Sequence, residues 1–244
     1  MIFLCFAVKN RMPYINDLYQ YFQNFGLNVW YDRRNIYLGD DRYETNIELG
    51  ANRSDLKYAV VIYSNDFANG NICLDEYKIL VKRHNSGEIH IFPVFLNEVP
   101  TNIDDKFALL KQLVYKQINS PQDYLAVTLH IVAKLCKDEL KSLPDNWQSF
   151  KSCIMNHIKD SLLHKMLTIY INIPANNYEM RITSLYYIFC YITSQDNKNY
   201  MHYKTMNYLF NYTLLNGLVE EKRELQIMED IIMFELYNYL YGSC

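Results

Sequence analysis

Asp75 and Glu76 stand side by side in the segment Ile72-Cys73-Leu74-Asp75-Glu76. The hydrophobic spacing there predicts the start of a helix running to about His84. Neighbouring helix positions point about 100° apart, so the two carboxylates do not act as a pair. A carboxylate fixed in a water-poor cleft stabilises positive charge that develops during a reaction, whereas one on a solvated helix face does not. Cys73 is either a thiol activated by the helix N-terminus or a small buried side chain. Arg33 and Arg34 lie in a polar stretch and are either phosphate partners or solvated charges. His157 and His164, seven residues apart, fall on one face of a predicted helix. With no third ligand beside them, no metal site is expected.

The elements that must position these residues alternate between strand and helix at first. Ile2 to Val8 is a short apolar run suited to a strand buried on both faces. Ile15, Leu18, Phe22 and Phe25 recur at helical spacing after Pro13, and Gly26 closes that helix. Leu27 to Trp30, Tyr58 to Tyr63, Ile89 to Leu96 and Leu113 to Ile118 read as further strands, with Pro93 arguing for a strand end or an edge. Asp40 and Asp41 can start a helix reaching about Asn52, and Ser120-Pro121 opens another reaching about Glu139. Such β-loop-α units imply a doubly wound, flavodoxin-like parallel sheet of five strands, with ligands bound beyond the carboxyl ends of the strands.

After Pro144 the alternation stops. Four helices are predicted, at about 146–171, 178–195, 200–216 and 218–241, separated by Pro174, the DNKN segment and Gly217. The expected domains are therefore an α/β domain over 1–140 and a small all-helical bundle over 145–244.

Composition narrows the function. Lys and Arg total 24 against 27 acidic residues, for a net charge of −3. Neither the basic footprint of a nucleic-acid binder nor a polybasic run for an anionic membrane is present. No apolar stretch is long enough to span a bilayer. MIFLCFAV lacks a basic leader and a cleavage site, and reads as a first strand. Six scattered cysteines with no CxxC pair fit a reducing cytoplasm. GxGxxG, GxxxxGK[ST] and GxSxG are all missing, which argues against a Rossmann dinucleotide site, a P-loop and a nucleophile elbow.

Six segments in order carry a resemblance: FLCF at Phe3–Phe6, GLNVWYD at Gly26–Asp32, IYLG at Ile36–Gly39, VVIYSNDF at Val60–Phe67, CLDE at Cys73–Glu76 and FPVFL at Phe92–Leu96. Their order, spacing and residue types resemble the TIR (Toll/interleukin-1 receptor) domain, particularly its bacterial members, over about residues 1–139. The resemblance implies cleavage of NAD at the nicotinamide–ribose bond, with NAD as substrate and no separate cofactor. Glu76 matches the family's catalytic glutamate. Expected substrate contacts are Phe6 and Ala7 at the end of the first strand, Arg33, Leu38 and Gly39 in the loop matching the family's BB loop, and Ile72. Ile72 replaces the family's tryptophan, and Cys5-Phe6 replaces its Ser-Tyr; isoleucine offers apolar contact where an indole would stack.

The resemblance further implies self-association through the TIR domain and the helical domain. It also implies a role in antiphage defence, by NAD depletion or an ADP-ribose-derived signal, with a defence effector or phage component as trigger. Tyr37 and Leu38 are interface anchors in that setting, or are packed beneath the sheet edge. Two other readings stand beside it: a non-catalytic TIR scaffold, and a nucleoside deoxyribosyltransferase-like enzyme with the same α/β layout and a catalytic carboxylate.

Overall fold

The computed structural model describes residues 1–194 and 199–242. Residue 195, the expected end of one helix, most of the DNKN segment and Cys244 lie outside the described residues. The chain packs into two compact units, residues 1–23 with 27–128, and residues 24–26 with 129 onward.

In the first unit, β1 (Ile2–Cys5), β2 (Val29–Trp30), β3 (Tyr58–Tyr63), β4 (His90–Leu96) and β5 (Lys116–Ile118) form one parallel sheet in the order β2-β1-β3-β4-β5. Ile2 pairs with both Val29 and Tyr58, and Cys5 pairs with Val61. All four residues of β1 are buried, as expected for a strand covered on both faces. Burying side chains such as Phe3 and Leu4 contributes about 1.5–3 kcal/mol each. The Phe3 ring stacks on Trp30 with centroids 4.9 Å apart, and Tyr63, Phe67, Tyr77 and Phe107 join in one aromatic cluster.

Several boundaries differ from the sequence expectation. β1 stops at Cys5, so Phe6 and Ala7 leave the sheet and enter the loop beyond it. Pro93 is neither at a strand end nor on an edge strand. It pairs in register with Val61, and the β5 ladder begins only at Val94, so no hydrogen bond toward β5 is needed at Pro93.

The helices of this unit are α1 (Asn16–Asn24), α2 (Asp32–Asn35), α3 (Arg42–Asn46), α4 (Asn65–Ala68), α5 (Asn71–Asn85), α6 (Ala108–Gln112) and the beginning of α7 (Asp123–Lys141). Two of them, α3 and α4, start at a side-chain cap. The Asp41 carboxylate accepts the Glu44 N–H at 2.7 Å, and Ser64 Oγ accepts the Phe67 N–H at 3.1 Å.

The second unit takes α7 from Leu129 and adds α8 (Trp147–His157), α9 (Ser161–Asn172), α10 (Tyr178–Ile192), α11 (Tyr200–Asn216) and α12 (Glu221–Tyr241). The expected single helix over 146–171 is two. Ile158 is extended, and Asp160 caps α9 by accepting the Leu162 and Leu163 N–H groups. The packing boundary also falls within α7 rather than after it. His130 meets Glu220 at 3.1 Å and Glu139 meets His202 at 2.7 Å, ties that hold this part of α7 to the later helices. Among the described residues no helix is long and apolar enough to cross a membrane.

Candidate active site

A cleft of about 400 Å³ opens beyond the carboxyl ends of β1, β2 and β3, lined among others by Phe6, Ala7, Trp30, Asp32, Asp66, Ile72 and Glu76. That volume falls in the range of small-molecule sites, and the location follows the rule for open parallel sheets. Every lining residue belongs to the first unit.

Glu76 stands on the second turn of α5 and is 6% exposed. The Cys5 thiol, at the last position of β1, donates to Glu76 Oε2 at 3.4 Å. Burial, and then the Glu76 charge, push the Cys5 thiol well above its usual range. The same two causes raise Cys73 to about 11. Cys73 is thus a neutral, buried thiol rather than an activated one, with Sγ 3.5 Å from the Phe67 and Gly70 carbonyls. Two uncharged thiols therefore lie near the Glu76 carboxyl group.

The turn before α5 is tight. A Cβ on Gly70 would fall 2.5 Å from Cys73 Sγ, so only glycine leaves that sulfur where it is. Ser64 Oγ donates to Asn10 Oδ1 at 2.6 Å, and Asn10 Nδ2 donates to Asp66 Oδ2 at 3.4 Å. These bonds join the exit of β1 to the exit of β3. Asp32, 8% exposed, closes the β2 side; it pairs with Arg11, and its Oδ1 accepts the Arg33 N–H at 2.6 Å.

Phe6, Ala7, Ile72 and Glu76 thus come together in the lining, and Arg33, Leu38 and Gly39 are not among the lining residues. Arg33 lies in the short helix α2 with an exposed side chain, and its contribution near Asp32 is the backbone N–H. Leu38 is fully exposed and Tyr37 is 72% exposed, so neither packs under the sheet edge. Gly39 adopts φ +100° with open space around it, so its role there is conformational. Asp75 bonds Lys78 at 2.8 Å instead of joining Glu76.

Trp30, Asp32, Asn46 and Asp66 also line the cleft; Asp32 and Asp66 lie just beyond strand ends, where the sequence already places a ligand, whereas Trp30 and Asn46 were not singled out from the sequence. Asn46, inside a helical segment, carries no such signal.

His157 and His164 fall on different helices, α8 and α9, because of the break at Ile158. The second unit instead gathers Cys136, Glu139 and His202, with ligand-type atoms within 4.8 Å of one another. Both His202 ring nitrogens already meet carboxylates, Nδ1 to Glu235 at 2.6 Å and Nε2 to Glu139 at 2.7 Å, which is hydrogen-bond geometry.

A family model for the TIR domain matches residues 2–126, half of the chain. The chain belongs to the TIR domain family. The TIR domain is 30% identical over 115 residues to the 2′ cyclic ADP-D-ribose synthase AbTIR of Acinetobacter baumannii (strain 1295743), a match covering 44% of this chain and 42% of the relative. The chain thus spans about two fifths of the length of that curated relative. Among solved structures it is similar to the TIR domain of the Toll-related receptor TRR-2 from Hydra magnipapillata, at 21% identity and TM-score 0.38, covering 48% of this chain and 82% of that one. It is also similar to the TIR domains of the activated Roq1 resistosome recognising the effector XopQ, at 19% identity and TM-score 0.36, covering 46% and 68%.

Proposed function

We propose that this protein cleaves the nicotinamide–ribose bond of NAD, with Glu76 as the catalytic carboxylate. The observation that carries the reading is the placement of Glu76: a buried carboxylate on the wall of a cleft at the strand ends of a TIR domain. The similarity to a 2′ cyclic ADP-D-ribose synthase supports the same bond as the target.

The chemistry needs little more than a fixed negative charge. Nicotinamide in NAD is a cationic ring that leaves as a neutral molecule, taking the bonding pair, so no general acid is required to expel it. Positive charge then develops on the ribose, as in the oxocarbenium-like states of glycoside hydrolysis. Glu76 stabilises that charge and accepts hydrogen bonds from ribose hydroxyls, the more strongly because the carboxyl group is buried. Capture of the ribose carbon by water gives ADP-ribose and releases one proton. Capture by a hydroxyl of the same molecule gives a cyclic isomer, also with one proton released. Trp30 and Ile72 offer apolar contact for the flat rings.

Self-association belongs to the same reading. Leu38 and Tyr37 are large apolar side chains exposed outside the cleft, which suits contact with a second copy.

The test is chromatography of NAD incubated with the purified full chain at high protein concentration, beside the same assay with a deoxynucleoside plus free base. Nicotinamide release from NAD alone is expected. Base exchange on the deoxynucleoside, or no turnover of either, would overturn the proposal.

A further inference from the structure

Asn46 ends α3 and is 3% exposed, and it is among the residues lining the cleft, with Asp32 and Glu76. Its Oδ1 is shut off from the surface and meets no hydrogen-bond donor among the described residues. A buried carboxamide oxygen without a donor costs stability, because the water it gave up on folding is not replaced. Such an orphan in the wall of a ligand-sized cleft calls for a reason. The rest of that wall sharpens the question. Asp32 is committed to Arg11 and the Arg33 N–H, and Asp66 to Lys9 and Asn10. The oxygen of Asn46 has no such commitment, and turning about its terminal torsion sacrifices no hydrogen bond made by that oxygen.

We infer that Asn46 is a substrate-positioning residue, whose carboxamide hydrogen-bonds a ribose hydroxyl of the bound dinucleotide. The inference rests on the NAD-cleaving reading given above. A hydroxyl is both donor and acceptor, and so is a carboxamide, so one pair satisfies both groups. The carboxylates of the wall can only accept, and they suit the cationic ring and the developing ribose charge better. Asn46 is neutral and takes no part in the bond changes. Its effect therefore falls on binding of substrate and transition state alike, which moves KM more than kcat.

Two substitutions in the full chain test this. Asn46→Leu keeps the branching and the number of side-chain heavy atoms and removes the polar group. It is expected to raise KM for NAD about tenfold, the equivalent of about 1.4 kcal/mol, with kcat held within about threefold. The same substitution is expected to raise Tm by about 2–4 °C, since an unsatisfied buried oxygen disappears. Asn46→Asp keeps an acceptor and is expected to hold KM within about threefold of wild type. A KM unchanged in Asn46→Leu overturns the inference while the NAD-cleaving reading stands. A fall in Tm for Asn46→Leu overturns it too, because the carboxamide would then serve the fold. Wild-type protein that fails to release nicotinamide from NAD overturns the underlying reading, and the role of Asn46 falls with it.

Discussion

The Cys5 thiol, on strand β1 between β2 and β3, donates to Glu76 Oε2 on α5 at 3.4 Å, a contact between residues 71 positions apart in the chain. The bond ties the candidate catalytic carboxylate to a strand that is paired on both sides. Cys5→Ala removes the donor and leaves a small void in a fully buried position, so a loss of about 1–3 kcal/mol in stability is expected. Nicotinamide release should fall about three- to tenfold as Glu76 gains freedom. Cys5→Ser restores a donor and should recover most of the rate; equal rates for the two variants would show that the thiol bond does not matter.

Glu76→Gln preserves shape and removes the charge. A loss of at least about a hundredfold in NAD cleavage is expected, because the stabilisation of developing charge is what the site offers. Circular dichroism should be unchanged. A variant that turns over NAD at close to the wild-type rate would remove Glu76 from the mechanism.

Gly70→Ala puts a Cβ 2.5 Å from Cys73 Sγ and 3.4 Å from the Asp66 carbonyl oxygen. The sulfur must move, and with it the first turn of α5 that leads to Glu76. A destabilisation of about 1–3 kcal/mol is expected from the overpacking, together with a clear drop in turnover. Thermal unfolding and the NAD assay on the same preparation check both.

His202 gives the helical unit a pH dependence that can be signed. Burial disfavours its imidazolium, but the hydrogen bonds that its ring N–H groups donate to Glu139 and Glu235 outweigh that and raise the group from 6.5 to about 9. Because the folded value lies above the unfolded one, the stabilisation is complete below about pH 6.5 and is lost as pH rises through about 9. A rise of that size is worth about 3 kcal/mol. Denaturant unfolding should therefore show lower stability near pH 10 than near pH 6, to that approximate extent. In His202→Gln this part of the slope should vanish, and its persistence would assign the effect to another group.

Leu38→Asp tests association separately from chemistry, since Leu38 is fully exposed and is not among the residues lining the cleft. Activity per molecule is expected to fall at low protein concentration and to recover as concentration rises. Light scattering should show the parallel loss of assembled species. An equal loss of activity at every concentration would point to a direct role in catalysis.

The sequence by itself determined the sheet. Apolar runs such as Ile2–Cys5 and Tyr58–Tyr63 can be buried only between two helical layers, and the helical spacing between them leaves parallel crossovers as the solution. It also determined where to look: Glu76 and Ile72 follow β3 at the start of α5, and both line the cleft. Tertiary structure decided the rest. Hydrophobic period reports how one element is buried, and carries no information on which polar groups from different crossovers converge. Asn46 reads as an ordinary polar residue, and only the fold sets it in one wall with Asp32 and Glu76. Arg33 and Leu38 belong to the right loop, but its path leaves their side chains exposed. His157 and His164 share a helical spacing until Ile158 turns extended and Asp160 caps a new helix, a break decided by one residue's backbone torsions and one side-chain cap. His202 offers no signal at all in the sequence, because its partners Glu139 and Glu235 are 63 and 33 positions away, and only helix packing brings their charges to its ring.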